Sequence, residues 1–236
     1  MATGTLYLVG TPIGNLGDVT LRALETLKAV SVVAAEDTRR TGQLLKKFGI
    51  STPMVSLHEH NERTRTAELV ARLQAGESVA LVTDAGMPVV SDPGAFFVEQ
   101  VAAAGILVTA APGPSAAVTA LALSGFRGER FRFEGFPPKK SAAMERWLEA
   151  LSAEETPVIC YESPFRLAKT LEAIRKVLGE VPVAVGRELT KLHEELTRGS
   201  TSEVLKRYTE RPAKGEVTLV FFPKRKGAPG PRPGTL

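Results

Sequence analysis

The sequence predicts an α/β protein in two domains, an N-terminal, mostly parallel sheet with flanking helices followed by a C-terminal α/β domain. Three observations carry this expectation. Short apolar runs such as Val79–Val82 alternate with helical segments, and the runs are apolar on both faces, as strands of a covered parallel sheet are. Loops rich in Gly and Pro follow several of the early strands. The stretch A-P-G-P-S-A over 111–116 is the clearest punctuation in the chain. The expected domains are therefore residues 1–111 and 117–223, with a basic tail, expected to be disordered, over 224–236.

Taken in order, T-L-Y-L-V over 5–9 reads as a buried strand ending at Gly10, and Asp18 is placed to cap a helix whose apolar face is Leu21, Leu24 and Leu27. Residues 31–35 form the next strand, which ends on the charged group Glu36-Asp37-Thr38-Arg39-Arg40. A helix then carries Leu44, Leu45 and Phe48 to a stop at Gly49. Residues 54–57 are short and strand-like, 62–74 helical, 78–82 a strand, 96–104 helical and 106–110 a strand. The second half opens with a helix over 117–124, an extended piece at 131–133 and a turn at 135–138. An amphipathic helix follows around Trp147, Leu148 and Leu151; then come a strand at 158–161, a helix at 165–178 and a strand at 181–185. A helix at 201–208 and a final strand of alternating character at 217–222 complete the pattern.

The formal net charge is +4, and the four cations Lys224, Arg225, Lys226 and Arg232 in the acid-free tail account for it, leaving residues 1–223 neutral. Nucleic-acid binding by the body would have to use local basic patches. No apolar run approaches the roughly 18 residues of a membrane span, and the N-terminus has no basic start of the signal-peptide kind. The lone cysteine, Cys160, suits a cytoplasmic protein and removes any cysteine-based metal site. His58 and His60 flank Glu59 with no third ligand nearby, so no metal is expected.

The stretch T-D-A-G-M-P-V-V-S-D-P-G over 83–94 holds two Asp, two Gly and two Pro directly after an apolar strand, a composition suited to gripping a ligand. The alternative is a crossover loop whose Asp and Ser cap the next helix. The glycines at 10, 14 and 17 have the strand–glycine–helix context of a nucleotide loop but not the dinucleotide spacing. Pro12, Pro88 and Pro114 each sit just beyond a predicted strand, and in an open parallel sheet those strand ends share one edge, where ligands bind. Such a pocket would grip through backbone groups, with Asp84 or Asp92 available to a hydroxyl or amine.

In chain order the sequence also contains V-G-T-P-I-G-N-L-G-D, A-E-D-T-R, the 83–94 stretch, A-P-G-P-S-A, S-G-F, F-E-G-F-P-P-K, Y-E-S-P-F-R, R-E-L-T-K-L-H-E-E and K-G-E. In these motifs it resembles the bacterial 16S rRNA (cytidine-2′-O)-methyltransferases of the tetrapyrrole methylase-like superfamily, class III among S-adenosylmethionine (SAM) methyltransferases. The resemblance spans about residues 5–222; Met87 stands where Thr is expected and Phe165 where His is expected. It implies a tetrapyrrole methylase-like fold with the active cleft between the two domains, SAM as cofactor, 16S rRNA within the small ribosomal subunit as substrate, and a homodimer. It further implies cofactor contacts at Pro12, Asp84, Gly86, Pro88, Ser115 and Ala116, and at Tyr161, Leu189 and Glu216.

Methyl transfer to a ribose hydroxyl needs alignment, plus a base or an electrostatic stabiliser for a poor nucleophile. Two clusters offer such groups: Glu36, Asp37 and Arg39 after the second strand, and Arg187, Glu188, Lys191 and Glu194 in the second half. Lys191 and Glu194 are the residues expected near the reacting hydroxyl, with Arg39 and Arg187 as phosphate contacts or pocket-organising ion pairs. For each cluster the alternative is a solvated face of paired charges. RNA could meet Arg63, Arg65 and Arg72 on one helix, or Lys139 and Lys140 with Arg146, or the tail. Two other functions share the fold: methylation of a tetrapyrrole small molecule, and non-catalytic RNA binding.

Overall fold

A computed structural model describes residues 3–224; the predicted tail from Arg225 onward lies outside the described residues. The chain divides into two compact units after Ser115.

The first unit runs β1 (Thr5–Val9), α1 (Leu21–Ala29), β2 (Val32–Ala35), α2 (Thr38–Lys47), β3 (Met54–Ser56), α3 (Glu62–Gln74), β4 (Val79–Val82), α4 (Ala95–Ala103) and β5 (Leu107–Ala111). The strands form one wholly parallel sheet in the order β3-β2-β4-β1-β5. Every residue of β2 and β4 is buried, which is why V-V-A-A and V-A-L-V carry no polar alternation. Leu27 and Leu45, from α1 and α2, pack on one face with Val9, Val33 and Val82. Leu69 and Leu73 of α3 and Phe97 of α4 pack on the other with Leu6, Val32 and Leu81. The chain thus moves outward from β1 over one face and returns over the other, so β1 and β4 are neighbours whose helices lie on opposite faces. That is a topological switch point, where such sheets open a crevice at the carboxyl ends of the strands.

The second unit runs α5 (Ala116–Ser124), β6 (Arg132–Phe133), α6 (Ser141–Leu151), β7 (Val158–Glu162), α7 (Leu167–Leu178), β8 (Pro182–Arg187), β9 (Glu195–Ser200), α8 (Thr201–Glu210) and β10 (Val217–Phe221). Its sheet, β6-β7-β10-β8-β9, is mostly antiparallel, with only β6 and β7 parallel. Leu148, Leu167, Leu171, Ile174, Val204 and Phe221 are at the centre of its core.

The structure differs from the sequence expectation at several points. Thr20, not Asp18, caps α1 by accepting the Ala23 N–H at 3.1 Å, and Asp18 closes a short 3-10 turn. β10 is buried along its whole length, so it does not alternate. Helix α7 begins at Leu167 rather than 165, because Ser163 to Arg166 form the turn that leads into it. Strand β9 was not anticipated: E-L-T-R-G-S has no apolar run, and its polar groups are satisfied only in three dimensions. Arg198 Nε donates to the Leu123 carbonyl at 2.9 Å, and the Thr197 and Tyr208 hydroxyls are 3.2 Å apart. The strand ends on Ser200, which with Glu203 makes a capping box for α8.

Candidate functional site

In the first unit, the loops after β1, β4 and β5 are tied to one another at the carboxyl edge of the sheet. Thr11 and Gly86 exchange backbone hydrogen bonds of 2.9 and 3.1 Å, and the Thr11 hydroxyl donates to the Thr83 carbonyl at 3.0 Å. Gly10 and Gly113 meet backbone to backbone: a Cβ on Gly10 would lie 2.6 Å from the Gly113 Cα and N. Neither position tolerates a side chain without moving main chain. Gly113→Ala is therefore expected to destabilise the fold by about 1–3 kcal/mol of overpacking, and with it to lower the melting temperature and weaken ligand binding at this edge; thermal unfolding with and without ligand measures both.

The charged group after β2 reaches the same edge. Glu36 Oε2 accepts the Thr83 hydroxyl at 2.6 Å and the Asp84 N–H at 3.3 Å. Asp84 Oδ1 accepts the Asp37 N–H at 3.2 Å, and Asp84 Oδ2 is 3.3 Å from Arg40 Nη1. Burial first, and the neighbouring Glu36 second, push the Asp84 carboxyl above the ordinary carboxylate range. Asp92, at the far end of the same loop, is pushed up to about 6, chiefly by burial and then by Glu36 and Asp84, against a favourable contact with Thr83. Glu36, Asp84 and Asp92 therefore make an acidic environment that favours a cationic ligand.

A wild-type Asp92 keeps its proton up to about 6 in the folded state, whereas the unfolded carboxyl loses it near 3.8. Folding takes up a proton between those values, so this group's contribution makes stability fall as pH rises through the window. Asp92→Asn removes that cost: its melting temperature is expected to exceed that of wild type above pH 6 and to match it at pH 3.8 and below. A difference that does not change with pH contradicts this.

Arg39 does not belong to the acidic group. Its side chain is 88 % exposed and folds back on Asp37, with Nη2 2.7 Å from Oδ2. That side-chain hydrogen bond holds the Asp37 carboxyl well below its usual range, while Asp37 caps α2 by accepting the Arg39 N–H at 2.8 Å. Arg40 is the cation that reaches Asp84, and sequence reasoning passed over it. A cavity of about 170 Å³ opens here, lined by Thr11, Pro12, Gly14, Arg40, Thr83 and Asp84. Pro88 is buried in the loop, and Ser115 and Ala116 stand where β5 leads into α5.

In the second unit, the predicted cluster after β8 forms a knot against the start of β10. Lys191 Nζ donates to Glu188 Oε1 at 3.0 Å and to Glu216 Oε2 at 2.9 Å. Glu188 Oε1 also accepts the Glu216 N–H at 2.8 Å, and a Cβ on Gly215 would lie 2.3 Å from the Glu188 carboxyl carbon. Burial alone would lower the Lys191 ammonium, but the two carboxylates outweigh it and raise it. Burial alone would likewise raise Glu188, but the Glu216 N–H and Lys191 hold it below the ordinary range. Lys191 is therefore a fixed positive charge.

Glu194 and Arg187 have other partners. Glu194 Oε2 accepts the Thr190 N–H at 2.5 Å and so shapes the loop. Arg187 turns to Glu195 at 3.1 Å, and Glu195 also takes Arg207 at 2.7 Å, which ties β8, β9 and α8 together. Leu189 is buried over Gly186, and Tyr161 stacks edge-on with Phe133 and Phe136 at 5.1 and 5.6 Å. The Arg63, Arg65 and Arg72 patch is internally engaged: Arg65 pairs with Glu68, Arg72 with Glu77 at 2.6 Å, and Arg63 lies over the Phe96 ring.

Backbone strain singles out the same two loops. Among the described residues the non-glycine positions with positive φ are Val89 (77°), Ser91 (66°), Glu188 (49°) and Thr190 (67°). A β-branched residue held there costs roughly 1–3 kcal/mol and persists where the surroundings over-determine it, typically at functional sites. The Thr190 hydroxyl is moreover buried without a hydrogen-bond partner.

A doubly wound sheet whose switch-point loops are strained, glycine-tight and acidic, followed by a mostly antiparallel α/β unit, is the architecture of a class of methylases. The chain belongs to the tetrapyrrole (corrin/porphyrin) methylase family, whose sequence profile matches residues 5–205. It is 50% identical over 219 residues to the ribosomal RNA small subunit methyltransferase I of Synechocystis sp., covering 92% of this chain and 78% of that protein. The protein of the same name from Thermotoga maritima is 46% identical over 221 residues, covering 94% and 99%. Among solved structures, a uroporphyrin-III-C-methyltransferase from Thermus thermophilus shares the fold, with a TM-score of 0.64 at 22% identity over 92% of this chain and 94% of that one.

Methylases of this family use SAM as methyl donor. The first-unit edge fits such a group in charge: its carboxylates match a ligand carrying an ammonium and a sulfonium. The 170 Å³ cavity is below the roughly 300–1,000 Å³ of sites that enclose a drug-sized ligand, so by itself it is too small to enclose the whole of such a group.

Proposed function

We propose that this chain is a SAM-dependent methyltransferase that methylates the ribose 2′-hydroxyl of a cytidine in 16S rRNA, in the decoding region of the small ribosomal subunit. The observation that carries the substrate is the 45–50% identity to proteins named ribosomal RNA small subunit methyltransferase. The choice of a hydroxyl rests on the knot at Lys191, because a ribose oxygen needs a positive charge beside it as its proton leaves.

In this reading the cofactor contacts are Pro12, Asp84, Gly86, Pro88, Ser115 and Ala116, together with Tyr161, Leu189 and Glu216. The carboxylates of Glu36 and Asp84 counter the ligand's positive charge. When bound, SAM supplies an electrophilic methyl on sulfonium, so that the oxygen–carbon bond forms as the carbon–sulfur bond breaks and the electron pair stays on sulfur. Lys191 stabilises the developing alkoxide, and a carboxylate of the knot receives the proton. Glu188 positions Lys191, and Glu194 and Arg187 hold the shape of the loop; Glu36, Asp37 and Arg40 order the cofactor edge. The protein acts in the cytoplasm as a homodimer, which light scattering of the purified chain tests.

The deciding experiment is transfer of labelled methyl from SAM to 30S subunits and to naked 16S rRNA from cells lacking the gene, beside a tetrapyrrole acid. Label in rRNA is expected. Label only in the tetrapyrrole, the substrate class in the family's name, replaces the reading, and label in neither removes it.

A further inference from the structure

The second unit carries a groove that the methyl-transfer chemistry does not use. It lies between α6 and α7, measures about 470 Å³, and has the apolar Met144 and Ala173 in its lining. Five cations line it, Lys139, Arg166, Lys169, Arg175 and Lys176, against the two carboxylates Glu145 and Glu172, an excess of three positive charges. The body of the chain is neutral overall, so this is a local concentration of charge.

The cations differ in how they are held. Arg166 is fixed from beneath: Nη2 donates to the Pro138 carbonyl at 2.8 Å and lies 3.4 Å from the buried Glu162 carboxylate, which also takes the Thr170 hydroxyl at 2.5 Å. Lys176 pairs with Glu145 across the groove at 2.7 Å. Lys139, Lys169 and Arg175 are exposed. Lys169 and Lys176 are seven residues apart on α7, hence on one face and about 10 Å apart along its axis. The charges are therefore strung along a helix and do not converge on one point. That spacing suits an extended polyanion better than a compact anion. Phe165, the residue before the groove-lining Arg166, is 95 % exposed, an aromatic face on which an unpaired base can stack.

We propose that the groove between α6 and α7 binds the sugar–phosphate backbone of the RNA substrate away from the methylated ribose, and that Phe165 stacks on a neighbouring base. This rests on the rRNA reading above. Phosphate contacts of this kind set register and affinity without reading sequence.

The test uses the full chain with Lys169 and Arg175 both changed to Glu, a second double variant with both changed to Gln, and Lys28→Glu as an exposed control on α1. Binding of labelled 16S rRNA is measured across a potassium chloride series. Each lost phosphate contact lowers the slope of log Kd on log salt by about 0.7–0.9, so both double variants are expected to show a slope shallower by about 1.5 and a Kd raised about tenfold or more at physiological salt. KM for rRNA rises with it, while kcat and the Kd for SAM stay at wild-type values. Double variants that bind rRNA like Lys28→Glu overturn the groove and leave the rRNA reading standing. Wild-type protein that binds no rRNA overturns both. Conversion of a dimer to a monomer by the double variants assigns the groove to a second copy of the chain and overturns the proposal.

Discussion

Lys191→Ala is expected to lower kcat for rRNA methylation by about 10²–10⁴-fold while the Kd for SAM by calorimetry stays near the wild-type value. The lysine contacts both Glu188 and Glu216. Its raised pKa keeps it protonated, so its part is to stabilise negative charge rather than to accept a proton. In the proposed mechanism its removal leaves the Glu188 and Glu216 carboxylates without a compensating positive charge, which opposes formation of an alkoxide beside them. Part of the change is structural, because the strained loop at Glu188 and Thr190 loses a tie. Lys191→Arg separates the parts: it keeps the charge and the tie in altered geometry, and is expected to recover folding fully but turnover only in part. Turnover of Lys191→Ala within a few fold of wild type removes the lysine from the chemistry.

Asp84→Ala is expected to weaken SAM binding by about 10- to 100-fold, the cost of roughly 1.5–3 kcal/mol for one hydrogen bond to a charged group. Asp84 is the carboxylate shared by the Asp37 N–H and Arg40 at the mouth of the first-unit cavity. Because burial already raises its pKa, a cationic ligand that restores its charged form gains from the pairing. Affinity is therefore expected to fall further as Asp84 is protonated at acid pH in the wild type, and to lose that pH dependence in Asp84→Ala. Unchanged affinity in the variant removes the contact.

The parallel sheet of the first unit was legible because β2 and β4 are buried on both faces and therefore carry uninterrupted apolar runs. Loops that follow such strands share an edge by topology alone, and the bonds joining Thr11 to Gly86 and Gly10 to Ala111 bear that geometry out. β9 was illegible because its polar side chains find partners on other elements, Arg198 on the Leu123 carbonyl of α5, 75 positions away, and Thr197 on Tyr208 of α8. The capping role of Thr20 over Asp18 turned on two residues of register, which composition does not resolve.

In the charged clusters, residue type located the loops but not the pairings. The Lys191 ammonium bonds to the carboxylate of Glu216, 25 positions away, whereas the nearer Glu194 carboxylate takes the Thr190 N–H. Arg39 and Arg40 are chemically equal in sequence; the start of α2 turns one back on Asp37 and the other to Asp84. The positive φ values at Val89 and Thr190 leave no mark in the sequence, since nothing in a β-branched residue announces strain. The Gly10–Gly113 contact does have a usable signal, a glycine within two residues of the end of each of two neighbouring strands.

The most direct measurement is the nucleoside content of 16S rRNA from cells lacking the gene, complemented with wild type or with Lys191→Ala, by digestion and mass spectrometry. A 2′-O-methylcytidine that returns with wild type and not with Lys191→Ala is the predicted result. A methyl group restored on a base, or no change in any nucleoside of 16S rRNA, contradicts it.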